Sequence, residues 1–317
     1  MPLFLTEDDV ARLLTMDDAL RAVEEAFRQH GQGSTVNRPR TRVRVPQGIL
    51  HVMAAGLPPE GVLGFKAYTA FGGTVRFHVH LYSAEDGRLL ALMEADRLGQ
   101  IRTGAASGVA TRYLARPDAS VVGIFGTGWQ ARSQLQAVCA VRTITDAKVF
   151  SPTPEHRQSV AEKMSRELKI DVRPAKSPEE ALEDADVVIA VTNSRTPVFD
   201  GNSLRDGAHV TSISNGDKTR TRQEIDETTI RRSDLLYITS KETVCVNESD
   251  IFRAVRDGVT SWERVYEIGD LLLEKAPART SDKQITLYKL QGIGIMDVAV
   301  GLRAYERLKN DPSVQRF

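Results

Sequence analysis

Three cations and one glycine turn are the residues of this chain whose types and settings could do chemistry. Lys66 stands in the run Leu63-Gly-Phe-Lys-Ala-Tyr68, an apolar strand pattern. Burying an ammonium in such a strand without a partner is costly, so the setting points to a site. Arg40 and Arg102 add guanidiniums, whose planar fork is the best side-chain match for a carboxylate. A solvated surface cation is the ordinary alternative for any arginine. Arg42 competes with Arg40, because it lies two residues on and shares its strand face.

The glycine turn is Gly126-Thr-Gly-Trp-Gln-Ala131. A β-branched apolar run over 121–125 leads into it, and a helical pattern through Leu135 and Val138 follows. Glycine lets the backbone approach a ligand closely, and the helix start beyond it offers unpaired N–H groups and a positive dipole end. Strand, turn and helix together predict a cradle for the pyrophosphate of a dinucleotide. Gly126, Thr127, Gly128, Trp129 and Gln130 should lie along it. The next strand ends Val149-Phe-Ser-Pro-Thr153, with Arg157 shortly after and no acid before Glu155. An acid there would bind the ribose hydroxyls and repel a 2′-phosphate. Ser151, Thr153 and Arg157 instead favour NADP over NAD. Thr192 and Asn193 end a later strand, where the nicotinamide side of such a crevice falls.

The elements that must position these residues change texture along the chain. Thr6 and Thr15 read as caps of two N-terminal helices, each with acid in the first turn. Strand patterns follow over 37–45, 49–54, 63–70, 75–83 and 89–94, and a helix over 101–114 closes the block. Consecutive strands without helices between them imply a largely antiparallel or mixed sheet. From residue 121 strands alternate with helices, which predicts a doubly wound parallel sheet. Arg102 is expected beside the N-terminus of the 101–114 helix. One helix is expected over 261–272 and another over 294–308.

Bulk composition excludes several classes. The 42 basic and 42 acidic residues cancel, so no overall field favours nucleic acid or an anionic membrane. Cys139 and Cys245 sit in apolar sequence and offer neither a disulfide framework nor a cysteine metal site. The N-terminus carries acid where a targeting signal would need positive charge, and no apolar run approaches the roughly 20 residues that span a bilayer. The expectation is a cytoplasmic protein without a metal.

Eight stretches in fixed order resemble the ornithine cyclodeaminase/mu-crystallin family. They are Pro39-Arg-Thr41, Val52-Met-Ala54, Gly64-Phe-Lys66, Arg102-Thr-Gly-Ala-Ala-Ser107, Gly126-Thr-Gly-Trp-Gln-Ala131, Asp184-Ala-Asp-Val-Val188, Gln223-Glu-Ile-Asp226 and Gly294-Ile-Met-Asp297. The resemblance implies an α/β fold: a Rossmann doubly wound parallel sheet over 118–293, and a mixed-sheet substrate and dimerisation domain from 1–117 with 294–317. It implies a homodimer and a small amino- or imino-acid substrate. Arg40, Met53, Lys66 and Arg102 would hold that substrate, with Lys66 also catalytic. His78 falls near a family position that faces the substrate pocket. It is either a proton donor to the substrate nitrogen or one of two structural histidines with His80.

The sharpest departure from the family lies at Ser214-Asn-Gly-Asp-Lys218. Ornithine-cyclising members carry an aspartate followed by a Pro-Gly-Lys-Thr-Glu type run here. In this chain Lys218 aligns with that aspartate and Asp217 stands one place earlier, which makes Asp217 the candidate base. Three functions therefore remain open at this point. They are an NAD(P)-dependent oxidoreductase on the C–N bond of an imino or amino acid, an ornithine cyclodeaminase, and a non-catalytic ligand-binding protein of the mu-crystallin type.

Overall fold

The computed structural model describes residues 1–214, 216 and 222–317. The candidate base Asp217 and its neighbour Lys218 lie outside the described residues. The chain splits into two compact units, Met1–Ala105 with Gly292–Phe317, and Ala106–Gln291.

The first unit begins with β1 (Leu3–Leu5), α1 (Glu7–Leu13) and α2 (Met16–Gly31). Thr6 and Thr15 each cap their helix in a full capping box, with Asp9 and Asp18 reaching back to the cap backbone. The strands that follow are β2 (Val36–Asn37), β3 (Thr41–Val45), β4 (Gly48–Leu57), β5 (Val62–Phe71), β6 (Thr74–Ser83) and β7 (Leu89–Glu94). The expected strand over 37–45 is thus interrupted at 38–40, where Pro39 has no N–H to give a ladder. Helix α3 (Asp96–Leu114) begins five residues before its expected start. Arg102 therefore lies beyond the first turn, and the expected help from that helix N-terminus does not apply.

In the first unit's sheet the order is β16-β1-β7-β6-β5-β4-β2, with β3 also on β4 and β16 formed by Gln315–Arg316. All pairings are antiparallel except β1 with β7, so the sheet is mixed. Gly72 and Gly73 make a two-residue turn with φ of 53° and 82° at both positions, the left-handed pair that a tight hairpin requires. That turn sets Phe71 opposite Thr74 and, five pairs on, Lys66 opposite Val79.

The second unit alternates strictly through its first half: β8 (Val121–Phe125), α4 (Trp129–Val141), β9 (Asp146–Phe150), α5 (Pro154–Leu168), β10 (Asp171–Pro174), α6 (Pro178–Leu182) and β11 (Val187–Ala190). Then come β12 (His209–Ser212), α7 (Glu227–Arg232), β13 (Leu235–Ile238), α8 (Lys241–Asn247), α9 (Asp250–Arg256), β14 (Val265–Glu267), α10 (Ile268–Leu272) and β15 (Thr286–Lys289). The helix expected over 261–272 is instead a strand followed by a short helix, because Val265 and Tyr266 pair in parallel with β13. Every pairing in this sheet is parallel, in the order β10-β9-β8-β11-β12-β15-β13-β14. This is the doubly wound sheet expected from the alternation. Its core includes Phe125, Val188, Val210, Leu236 and Leu287.

The chain returns to the first unit with α11 (Gly294–Leu308), buried along most of its length. Gly64 and Gly301 allow its close approach, since an added Cβ would lie 3.4 Å from Val298 and 3.2 Å from Val79 respectively.

Candidate active site

Lys66 projects from β5 toward the face covered by α11 and is 1% exposed. Its ammonium donates to Oδ1 of Asp297 at 2.8 Å, and Arg102 Nε donates to the same oxygen at 2.9 Å. Asp297 is wholly buried in the first turns of α11. Two cations therefore share one carboxylate oxygen. Among the described residues, Asp297 Oδ2 and Arg102 Nη1 are buried without a hydrogen-bond partner. Arg40 adds a third positive charge. Its Nε points to Met53 Sδ at 3.4 Å, and its guanidinium lies 5.7 Å from the Tyr68 ring centre. Lys66 Nζ lies 5.8 Å and 5.7 Å from the rings of Tyr68 and Phe77. Gly292 borders the cluster: a Cβ there would sit 3.2 Å from Arg102 Nη1 and 3.5 Å from Arg40 Nη2.

The electrostatics follow from burial and charge count. Burial, and then the Arg102 charge, pull the Lys66 pKa down to about 7, although Asp297 pushes the other way. Three cations around one carboxylate leave a positive excess, and a buried guanidinium nitrogen is free to donate to an anionic partner. A carboxylate is the natural complement.

The structure brings Arg40, Met53, Lys66 and Arg102 together. It does not bring His78 to them. His78 pairs with Ala67 and Glu94, the residues of the opposite sheet face, because side chains alternate and Lys66 pairs with Val79 and Met53. His80 shares that opposite face and stacks on Phe65 with ring centres 4.4 Å apart.

The second unit holds the glycine turn at the carboxyl ends of β8 and β11. Here the order of strands reverses, since the chain runs outward from β8 to β10 and then returns to β11 on the other side of β8. Gly126 has φ of 113°, and a Cβ there would meet the Val191 carbonyl oxygen at 2.3 Å, so only glycine fits. Gly128 faces open space and precedes α4 without a side-chain cap, and the Ala131 N–H donates back to the Gly128 carbonyl at 3.0 Å. Trp129 is 62% exposed beside it. Thr127 and Gln130 are half-buried.

At the end of β9, Ser151 is buried and Thr153 half-buried. Arg157 reaches back to donate to the Ser151 carbonyl at 2.9 Å and covers the Phe150 ring at 5.7 Å. Asn193 Oδ1 accepts from Arg222 at 2.6 Å.

Several polar residues that organise the two regions were not singled out from sequence. Asp297 stood out only as the last residue of the family stretch Gly294-Ile-Met-Asp297. Glu224 and Lys289 are 0% exposed, and Asp250 is 8% exposed. Lys289 carried the same signal as Lys66, an ammonium inside the apolar strand run Ile285-Thr-Leu-Tyr-Lys-Leu290. Two other motif carboxylates are structural. Asp186 accepts from the backbone N–H of Ser120 and Val121 at the start of β8, and Asp226 caps α7 through Thr229.

Comparison with known proteins bears on both regions. The model of the ornithine cyclodeaminase/mu-crystallin family matches residues 1–311. The chain is 33% identical over 317 residues to an alanine dehydrogenase of Archaeoglobus fulgidus, covering 96% of this chain and 94% of that protein. Among solved structures, it resembles the Thermococcus litoralis Δ1-pyrroline-2-carboxylate reductase in complex with NADH and L-proline. The TM-score is 0.93 at 33% identity, over 99% of this chain and all of the other. An archaeal alanine dehydrogenase dimer with bound NAD matches with a TM-score of 0.89 at 33% identity, over 100% of this chain and 99% of the other.

Proposed function

The chain belongs to the ornithine cyclodeaminase/mu-crystallin family, and from that premise we propose that it is an NAD(P)-dependent oxidoreductase acting on the C–N bond of a small imino or amino acid. The observation that carries this reading is the buried cluster in which Lys66 and Arg102 share Asp297 while Arg102 Nη1 lacks a partner. Such a cluster suits the carboxylate of an imino acid, held by Arg102 and Arg40 with Lys66 beside the reacting carbon and nitrogen. With its pKa near neutrality, Lys66 is poised to deliver a proton to the nitrogen in the reductive direction. Asp217, the candidate base from sequence, stays part of the proposal. His78 does not, because it lies on the other sheet face.

The residues of the second unit fit a nicotinamide dinucleotide. Gly126 admits no side chain, Gly128 leaves open space, and the uncapped start of α4 suits a pyrophosphate along Gly126, Thr127, Gly128, Trp129 and Gln130. When bound, the dinucleotide supplies the hydride. Thr192 and Asn193 are assigned to the nicotinamide side. The absence of an acid over 150–154, together with Ser151, Thr153 and Arg157, favours NADPH over NADH.

A second copy of the chain is the expected partner. The sheet face bearing Leu63, Phe65, His80 and Tyr82 is apolar, aromatic and only partly covered, with Leu63 43% exposed. Light scattering of the purified protein checks this.

The decisive test incubates the protein with NADPH or NADH and a panel of imino acids, and with 2-oxo acids plus ammonia or methylamine. Net oxidation of the dinucleotide is expected. Formation of proline and ammonia from ornithine with only catalytic NAD would replace this reading with cyclodeamination. Binding without turnover would replace it with a ligand-binding role.

A further inference from the structure

Beneath the carboxyl ends of β11 and β12 lies a buried polar network that the proposed chemistry does not use. Glu224 Oε1 accepts from the backbone N–H and the hydroxyl of Thr192, just past β11. Its Oε2 accepts from Ser212 Oγ at 2.8 Å and from the backbone N–H groups of Ile213 and Ser214 at 2.9 and 2.8 Å. Five donors from two neighbouring strand ends thus converge on one buried side chain.

The direction of the network is fixed. Lys289 Nζ donates to Ser212 Oγ at 2.8 Å and pairs with Asp250 at 2.8 Å. An ammonium has no acceptor site, so the Ser212 hydroxyl must turn its own proton toward Glu224. Backbone N–H groups cannot reverse either. The network therefore presents Thr192 and residues 212–214 in one arrangement, and a neutral or shorter side chain at 224 would leave donors unmet.

We infer that Glu224 is a positioning residue for the nicotinamide half of the dinucleotide, acting through the main chain of Thr192 and of residues 212–214. The inference rests on the reading that a nicotinamide dinucleotide binds at this crevice. Among the described residues, the five hydrogen bonds that the Glu224 carboxylate accepts come from Thr192 and residues 212–214, and none from residues 126–130. Loss of its carboxylate should accordingly weaken one half of the ligand and spare the other.

Binding to the whole protein tests this without turnover. NADPH and NADH are titrated by nicotinamide fluorescence. ADP-ribose and its 2′-phosphate, which lack the nicotinamide, are titrated by calorimetry. In Glu224→Gln the reduced dinucleotide should bind about tenfold more weakly, as expected when a hydrogen bond to a charged group is lost, while ADP-ribose binding stays within about twofold. Equal weakening of both ligands, or of neither, overturns the inference while leaving dinucleotide binding intact. If Glu224→Gln does not fold, Ser212→Ala removes one donor to Glu224 and one acceptor of Lys289, which keeps Asp250, and should show the same split at about threefold. Equal effects in that variant overturn it as well. A wild-type protein that binds neither ligand overturns the dinucleotide reading and this inference together.

Discussion

Two lysines of this chain are buried to the same degree and are put to different uses. Lys66 is 1% exposed and Lys289 is 0% exposed, and each sits in a strand and meets an aspartate at 2.8 Å. Lys289 also donates to a serine hydroxyl, within a network whose donors converge on Glu224. Lys66 must share its single carboxylate oxygen with Arg102, has aromatic rings on other sides, and lies near a further guanidinium. One lysine completes a polar scaffold. The other is left electrostatically short of partners, the condition under which a buried group is available to a ligand.

Methionine at each position breaks the comparison most directly. Lys66→Met should lower kcat/KM by a hundredfold or more, about the contribution of a lost general acid, and leave the thermal midpoint near wild type because Arg102 still neutralises Asp297. Lys289→Met should instead destabilise the fold by about 3–5 kcal/mol, since Asp250 loses its buried cation. Calorimetric melts alongside steady-state kinetics decide the matter. Matching stability losses would show that both lysines are structural.

Next in size is Asp297→Asn. Two buried cations then lose their shared anion, and stability should fall by about 3 kcal/mol in a denaturant titration. The pH profile sharpens the point. On the proposed role of Lys66 as proton donor in the reductive direction, the rate should fall as pH rises through about 7. Asp297 raises the Lys66 pKa, and its removal should move that limb to lower pH. Stability runs in the opposite sense. Between about 7 and the ordinary lysine value of 10.5 the unfolded chain holds a proton that the native state lacks, so stability rises with pH there, and Lys66→Met should flatten the rise.

His209 extends the contrast to acid. It is wholly buried in the second unit between Thr286 and Thr211, and burial, then Arg279, drive its pKa down to about 3. Below 6.5 the unfolded chain binds a proton that native His209 refuses, so stability falls as pH drops from 6.5 toward about 3. His209→Gln should make that part of an acid titration shallower, and an unchanged slope would remove His209 from the account.

The smallest effect is expected at Arg157. Arg157→Ala should weaken NADPH by about tenfold or less and leave NADH nearly unchanged in a fluorescence titration. Equal effects would show that Arg157 serves only Ser151 and Phe150.

Local signals carried much of this molecule. Strand–turn–helix around Gly126 was legible because a backbone approach demands glycine there, and Lys66 was legible because its strand is otherwise apolar. The face of His78 was not read from sequence, although Gly72-Gly73 carried the signal: a two-residue left-handed turn sets the hairpin register and hence pairs His78 with Ala67. Period-two alternation alone does not relate one strand to the next. The early start of α3 was hidden because Asp96-Arg-Leu-Gly-Gln100 carries a glycine and mixed polarity rather than a clear apolar stripe. The roles of Glu224 and Asp297 were not legible for another reason. Their partners come from distant segments, and no spacing rule encodes a contact made only in three dimensions.

The first unit is woven from both ends of the chain, and this gives its chemistry an order in time. Asp297 is 231 residues from Lys66 and 195 from Arg102. On a ribosome both cations emerge long before the carboxylate that joins them, while all of the second unit is being made. The nascent sheet waits for α11 to cover the Lys66 face, so the cluster comes into being only after the second unit has been made. A chain broken off between residues 291 and 297 would hold the whole second unit but never the cation cluster.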